Sequence, residues 1–148
     1  MVPEQIERDI FVAAPVERVW AALTESEHVG TWFGDAGAEV DLRPGGALVI
    51  RWKEYGSYHA RVERVEPRRL FSYRGARSAD EEPRAGNSTF VEFTLSPEGD
   101  GTRLRVVESG FSGLDGTAEE QAEYAEGNTE GWTLELDELR AYLGRPAG

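Results

Sequence analysis

The spacing of apolar residues changes period along this chain, and each change marks a predicted element. Ile6, Ile10 and Val12 open a first strand that ends near Ala13. Pro15 suits the first turn of a helix, and Val16, Val19, Trp20 and Leu23 then recur at helical spacing. Residues 26–34, SEHVGTWFG, read as a second short helix with Ser26 as its N-cap and Gly34 as its terminator.

Beyond Gly34 the period falls to two. Val40 and Leu42 share a face, and PGG at 44–46 makes a turn. Leu48, Ile50 and Trp52 share the inward face of the next strand, with Arg51 and Lys53 opposite; Tyr58, Ala60 and Val62 share that of the strand after it. LFSYR follows, its phase ambiguous because Leu70 and Phe71 are both apolar. Residues 75–87 form the one long polar stretch, expected to be a mobile or lid-like loop. STFVEFTLS, with Val91 and Phe93 inward, and TRLRVVES are joined by PEGDG, a hairpin signal. The whole reads as a meander of antiparallel hairpins.

The last predicted element is a helix of about seven turns. Ala118, Ala122, Ala125, Thr129, Trp132, Leu136, Leu139 and Leu143 form one stripe at spacings of three and four, and Thr117 with Glu120 makes a capping box. The stripe is uneven: small residues in its first half, large ones in its second. Either side chains of the sheet rise to meet the alanines, or a cavity lies beneath them.

Composition narrows the function. The 148 residues fit a single domain, 1–148. There are no cysteines, which removes disulfides, thiolate nucleophiles and thiolate metal sites together. The net charge of −12 would repel nucleic acid and anionic membrane surfaces. MVPEQIERDIF carries charges where a signal peptide needs an apolar run, and no apolar run approaches a membrane span, so a soluble, cytoplasmic protein is expected. No phosphate loop, nucleophile elbow or Cys/His pair is present, and no cofactor is implied.

Five segments then carry a resemblance: APVERVWAALTESEHVGTWFG, PGGALVIRW, VERVEPRRLFSYR, GTRLRVVESGF and GWTLELDELRAYL. In order and spacing, over roughly residues 6–143, they resemble the START-like (SRPBCC) superfamily, and within it the activator of heat-shock protein 90 ATPase homologue family. The resemblance implies an α+β helix-grip fold: a curved antiparallel sheet of about seven strands wraps a long C-terminal helix, with two short helices after the first strand and an internal pocket. Superfamily members include lipid and hormone binders, polyketide cyclases, co-chaperone domains and self-resistance proteins, so the fold alone does not assign the function.

Candidate residues follow from both readings. Ala122, Ala125, Thr129 and Trp132 would roof the cavity from the helix, and Trp52, Tyr58 and Phe93 would line it from the sheet, unless they are ordinary core. The resemblance places Trp32 and Phe33 at the pocket mouth; plain core packing is the other reading. Glu108 shares a phase with the apolar Leu104 and Val106. It is either a polar anchor or acid/base in the pocket, or the end of a strand that opens to water. No catalytic set is assembled beyond Glu108 with Tyr58 or Tyr124. His28 and His59 lack the partners that a metal site needs and are read as surface or structural residues, and no metal is expected. Three functions stay open: binding of an apolar or aromatic small molecule, interaction with a protein such as a chaperone, and polyketide-cyclase-like enzymatic activity. The chain is expected to be a monomer or a homodimer.

Overall fold

The computed structural model describes residues 2–144. Strand β1 (Gln5–Val12) is followed by helices α1 (Val16–Thr24) and α2 (Ser26–Trp32), and then by strands β2 (Ala38–Val40), β3 (Ala47–Trp52), β4 (Gly56–Glu66), β5 (Leu70–Ala76), β6 (Ser88–Glu98) and β7 (Gly101–Ser109). A single tight turn at Phe111–Gly113 leads into helix α3 (Ala118–Leu143). The strands form one antiparallel sheet in the order β1-β7-β6-β5-β4-β3-β2, so β1 crosses over to pair with the last strand. This is the helix-grip architecture: a curved open sheet closed over a long C-terminal helix.

Local chemistry explains the elements. Pro15 caps α1 in an extended conformation, one position ahead of the expected first turn. Ser26 does not cap α2; Glu25 holds that position without a side-chain bond. The Ser26 hydroxyl instead accepts the backbone N–H of Val40 at 2.9 Å, which ties α2 to the edge strand β2. Leu42 falls outside β2 and is 38% exposed. The capping box of α3 forms as its sequence indicates: the Thr117 hydroxyl accepts from the Glu120 N–H at 3.1 Å, and the Glu120 carboxylate accepts from the Thr117 N–H at 2.9 Å. A bulge at Val62–Arg64 in β4 breaks the register with β5 and adds local bend.

The core fills the space between the sheet and the helices. Leu48, Ile50, Val62, Phe71, Phe93, Leu104 and Val106 rise from the sheet, and Leu136, Leu139 and Leu143 descend from the second half of α3. The phase of β5 is settled by pairing, with Phe71 opposite Phe93 and Tyr73 opposite Val91 on the core side. The small residues in the first half of α3 serve a different purpose from the one their size suggests. Ala125 packs on Phe111 and Leu114 of the β7–α3 connection, and Ala118 is exposed. Ala125 lets that connection approach the helix.

The long polar stretch after β5 is held at both flanks. Asp80 bonds Ser57 of β4 through its backbone N–H and through its carboxylate. Arg77 donates to the Asp115 carbonyl at 2.7 Å, and Asp115 N–H bonds the Gly86 carbonyl. The loop therefore bridges β4 to the start of α3. Among the described residues no helix is long and apolar enough to cross a membrane.

Candidate functional site

A cavity of about 550 Å³ lies between the sheet and the middle of α3. One face of the helix forms its roof: Tyr124, Asn128, Gly131, Trp132 and Glu135, at spacings of four, three, one and three. This face sits about 100° around the helix from the alanine stripe, and Trp132 stands where the two meet. Gly131 has open space where a Cβ would lie. Glycine inside a helix costs about 1 kcal/mol relative to alanine, and here it enlarges the cavity.

The opposite wall is aromatic. Phe33 comes from the end of α2, Trp52 from β3, Tyr55 from the β3–β4 turn, Tyr58 from β4 and Tyr73 from β5. The rings contact one another edge to face: Phe33 to Trp52 at 5.7 Å, Phe33 to Trp132 at 6.0 Å and Tyr58 to Tyr73 at 6.2 Å between centroids. Two glycines make this arrangement possible. A Cβ on Gly75 would lie 1.6 Å from the Tyr58 hydroxyl, so the Tyr58 ring can lie across β5 only because position 75 is bare. A Cβ on Gly34 would lie 2.7 Å from the Arg51 carbonyl, so the chain leaves α2 close against β3.

Polar groups interrupt the rings at three places. Glu108 is 3% exposed. Its carboxylate accepts the Thr89 hydroxyl at 2.6 Å, the Trp132 indole N–H at 2.9 Å and the Asn128 amide on both oxygens at 3.0 Å. Burial pushes its pKa up, while these hydrogen bonds pull it back. Glu108 is thus not at a water-filled strand end; it is a buried polar clamp that joins β7 to α3. Glu135 is half-buried, and its Oε2 is buried with no hydrogen-bond partner among the described residues. Burial, and then the charge of Glu138, push its carboxyl up to about 7. Arg77, from the loop after β5, is the one cation in the wall. The phenols of Tyr58, Tyr73 and Tyr124 are all raised by burial and stay neutral.

Of the residues expected to surround a cavity, Phe33, Trp52, Tyr58, Glu108 and Trp132 do so. The others stand elsewhere. Trp32 donates its indole N–H to the Ala22 carbonyl at 2.6 Å, which turns the ring into the α1–α2 seam. Phe93 lies behind Trp132, edge to face at 5.6 Å. Ala125 packs on the β7–α3 connection, Ala122 is not in the cavity lining, and Thr129 bonds back to the Ala125 carbonyl at 2.9 Å. Val91, read from the sequence as inward-facing, also lines the cavity, and Tyr55, Tyr73, Arg77, Asn128, Gly131 and Glu135 join it without a signal for lining in the apolar spacing. His28 is bonded to the Tyr142 hydroxyl at 2.6 Å, and His59 lies 3.0 Å from Glu82, so the two histidines serve separate surface contacts.

Comparisons with known proteins agree with this architecture. Residues 13–144 match the family model described as Activator of Hsp90 ATPase homolog 1-like protein. Among curated proteins none matches. Protein MLL2253 from Mesorhizobium loti superposes with a TM-score of 0.80 at 25% identity, covering 97% of this chain and 99% of its own. The Aha1 dimer from Colwellia psychrerythraea superposes with a TM-score of 0.77 at 19% identity, covering 97% and 98%. DynU16, from the dynemicin biosynthetic locus, superposes with a TM-score of 0.75 at 23% identity; the match covers 95% of this chain and 47% of DynU16. The last two likenesses speak to fold alone.

Proposed function

The chain belongs to the Activator of Hsp90 ATPase homolog 1-like protein family, and from that premise and the cavity we propose that it binds a hydrophobic, ring-bearing small molecule between its sheet and α3. The observation that carries this reading is the cavity itself, whose volume of about 550 Å³ lies within the range of small-molecule sites. Its walls are chiefly aromatic, with a few fixed polar groups to orient a guest. A protein built only for stability would fill such a space with side chains.

A chaperone partner is what the family description alone would suggest. It would need a continuous exposed apolar surface. Among the described residues the exposed large apolar side chains are Phe11, Leu42, Tyr55 and Leu134, which lie in β1, the β2–β3 connection, the β3–β4 turn and α3. Enzymatic turnover through Glu108 would need a carboxylate free to move a proton, and that of Glu108 is held by three side chains. Binding is the reading that the site supports best.

Gly131 supplies the test. Leucine at this position meets no neighbour at its Cβ and projects into the cavity, while improving helix propensity. Anthracenylmethanol, a neutral fluorescent tricycle, is expected to bind the wild-type protein, and Gly131→Leu is expected to weaken it by at least about tenfold. The variant should melt at the same temperature or higher. Equal affinity of the two proteins for the tricycle would place any binding elsewhere and overturn the proposal.

A further inference from the structure

The two carboxylates in the cavity wall have unequal surroundings, and that inequality bears on what the guest carries. Glu108 already has its donors in Thr89, Asn128 and Trp132. Glu135 has a buried oxygen with no partner among the described residues, and the charge that acts on it most is Glu138, another acid. Arg77 does not neutralise it. That guanidinium is hydrogen-bonded to the Asp115 carbonyl and stands at the Tyr124 end of the cavity. Along α3, Tyr124 and Glu135 are three turns apart, about 16 Å by helical rise.

Glu135 also lies within an aromatic setting. Trp132 is one turn before it on the same helix, Phe33 is 6.0 Å from Trp132, and Trp52 is 5.7 Å from Phe33. Ring faces attract cations, and a desolvated carboxylate gains most from a cationic partner. A metal ion would require several oxygen ligands, which one carboxylate among indoles does not provide. An anionic guest would meet two acids in the wall of a chain whose net charge is −12.

We infer that the cavity is built for a hydrophobic aromatic amine, its ammonium group paired with the Glu135 carboxylate and its rings against Phe33, Trp52 and Trp132. This rests on the small-molecule reading above and adds a charge to the guest. The raised pKa of Glu135 agrees with it: burial of the carboxyl, and then the charge of Glu138, hold its proton near neutrality, and a bound ammonium would lower the pKa again.

Three probes with one ring system and three charges test the inference: anthracenylmethylamine, anthracenylmethanol and anthracene carboxylate. The wild-type protein is expected to bind the amine at least about tenfold more tightly than the alcohol, with the carboxylate weakest. Glu135→Gln is expected to cut the amine's advantage over the alcohol to less than about threefold. A cooperative thermal melt checks that the variant folds, and the wild-type ranking does not depend on the variant. If alcohol and amine bind the wild type equally, or the amine's advantage survives Glu135→Gln, the inference is overturned while the cavity reading stands. If none of the three binds, both fall together.

Discussion

Glu108 and Glu135 both line the cavity, the first from β7 and the second from α3. The first receives hydrogen bonds from a hydroxyl, an amide and an indole; the second keeps an oxygen with no hydrogen-bond partner among the described residues. A buried carboxylate is costly, and folds ordinarily supply it with partners or lose it. Here the clamp at Glu108 fastens β7 to α3 and fixes the height of the helix above the sheet, which in turn sets the depth of the cavity. Glu135 does nothing comparable for the fold. The difference separates a residue that builds the site from one whose hydrogen-bonding capacity the fold leaves unused.

The largest expected effect breaks the clamp. Glu108→Ala strands the Asn128 amide and the Trp132 indole N–H in a buried setting, and should cost about 2–4 kcal/mol of stability in a denaturant titration. A loss below about 0.5 kcal/mol would mean that water replaces the carboxylate freely and that the clamp is incidental. Trp132→Phe is the milder form of the same test. It keeps a ring against Phe33 and Phe93 and removes one donor to Glu108, so about 1 kcal/mol should be lost.

Glu135→Gln should barely change stability near pH 5 and should change its pH dependence. The folded carboxyl titrates at about 7, above the ordinary carboxylate value that the unfolded chain would show. Between the two values the folded protein holds a proton that the unfolded chain has lost, so stability falls as pH rises from about 4.5 to 7. The raised Glu108 carboxyl acts in the same direction. Glu135→Gln should remove its part of this slope, so the melting temperature of the variant relative to wild type should rise between pH 5 and pH 7.5. A difference that stays constant with pH would show that Glu135 titrates normally.

Much of this architecture is legible in the sequence because burial imposes a period. The strands of the meander, the two short helices and the capping box of α3 each follow from local rules that the structure obeys. The cavity is less legible. The run of small residues points to it, but Ala125 accommodates Phe111 and Leu114, while the cavity's roof is the neighbouring face of the same helix. That face mixes Tyr124, Asn128, Gly131 and Glu135, and mixed polarity looks like solvent exposure when only hydrophobic spacing is read. A mid-helix glycine next to Trp132 was the available signal. Tyr73 was hidden by the doubled apolar pair at the start of β5, and its inward phase follows from pairing with β6, a non-local fact. Arg77 and Tyr55 lie in a loop and a turn, where no period exists.

The chain's four tryptophans provide the most direct measurement. Trp52 and Trp132 line the cavity; Trp20 and Trp32 do not. In a titration with anthracenylmethanol followed through the indole N–H resonances, the signals of Trp52 and Trp132 should shift strongly while those of Trp20 and Trp32 stay nearly fixed. Shifts confined to Trp20 or Trp32, or no shift at any of the four, would contradict a guest seated between the sheet and α3.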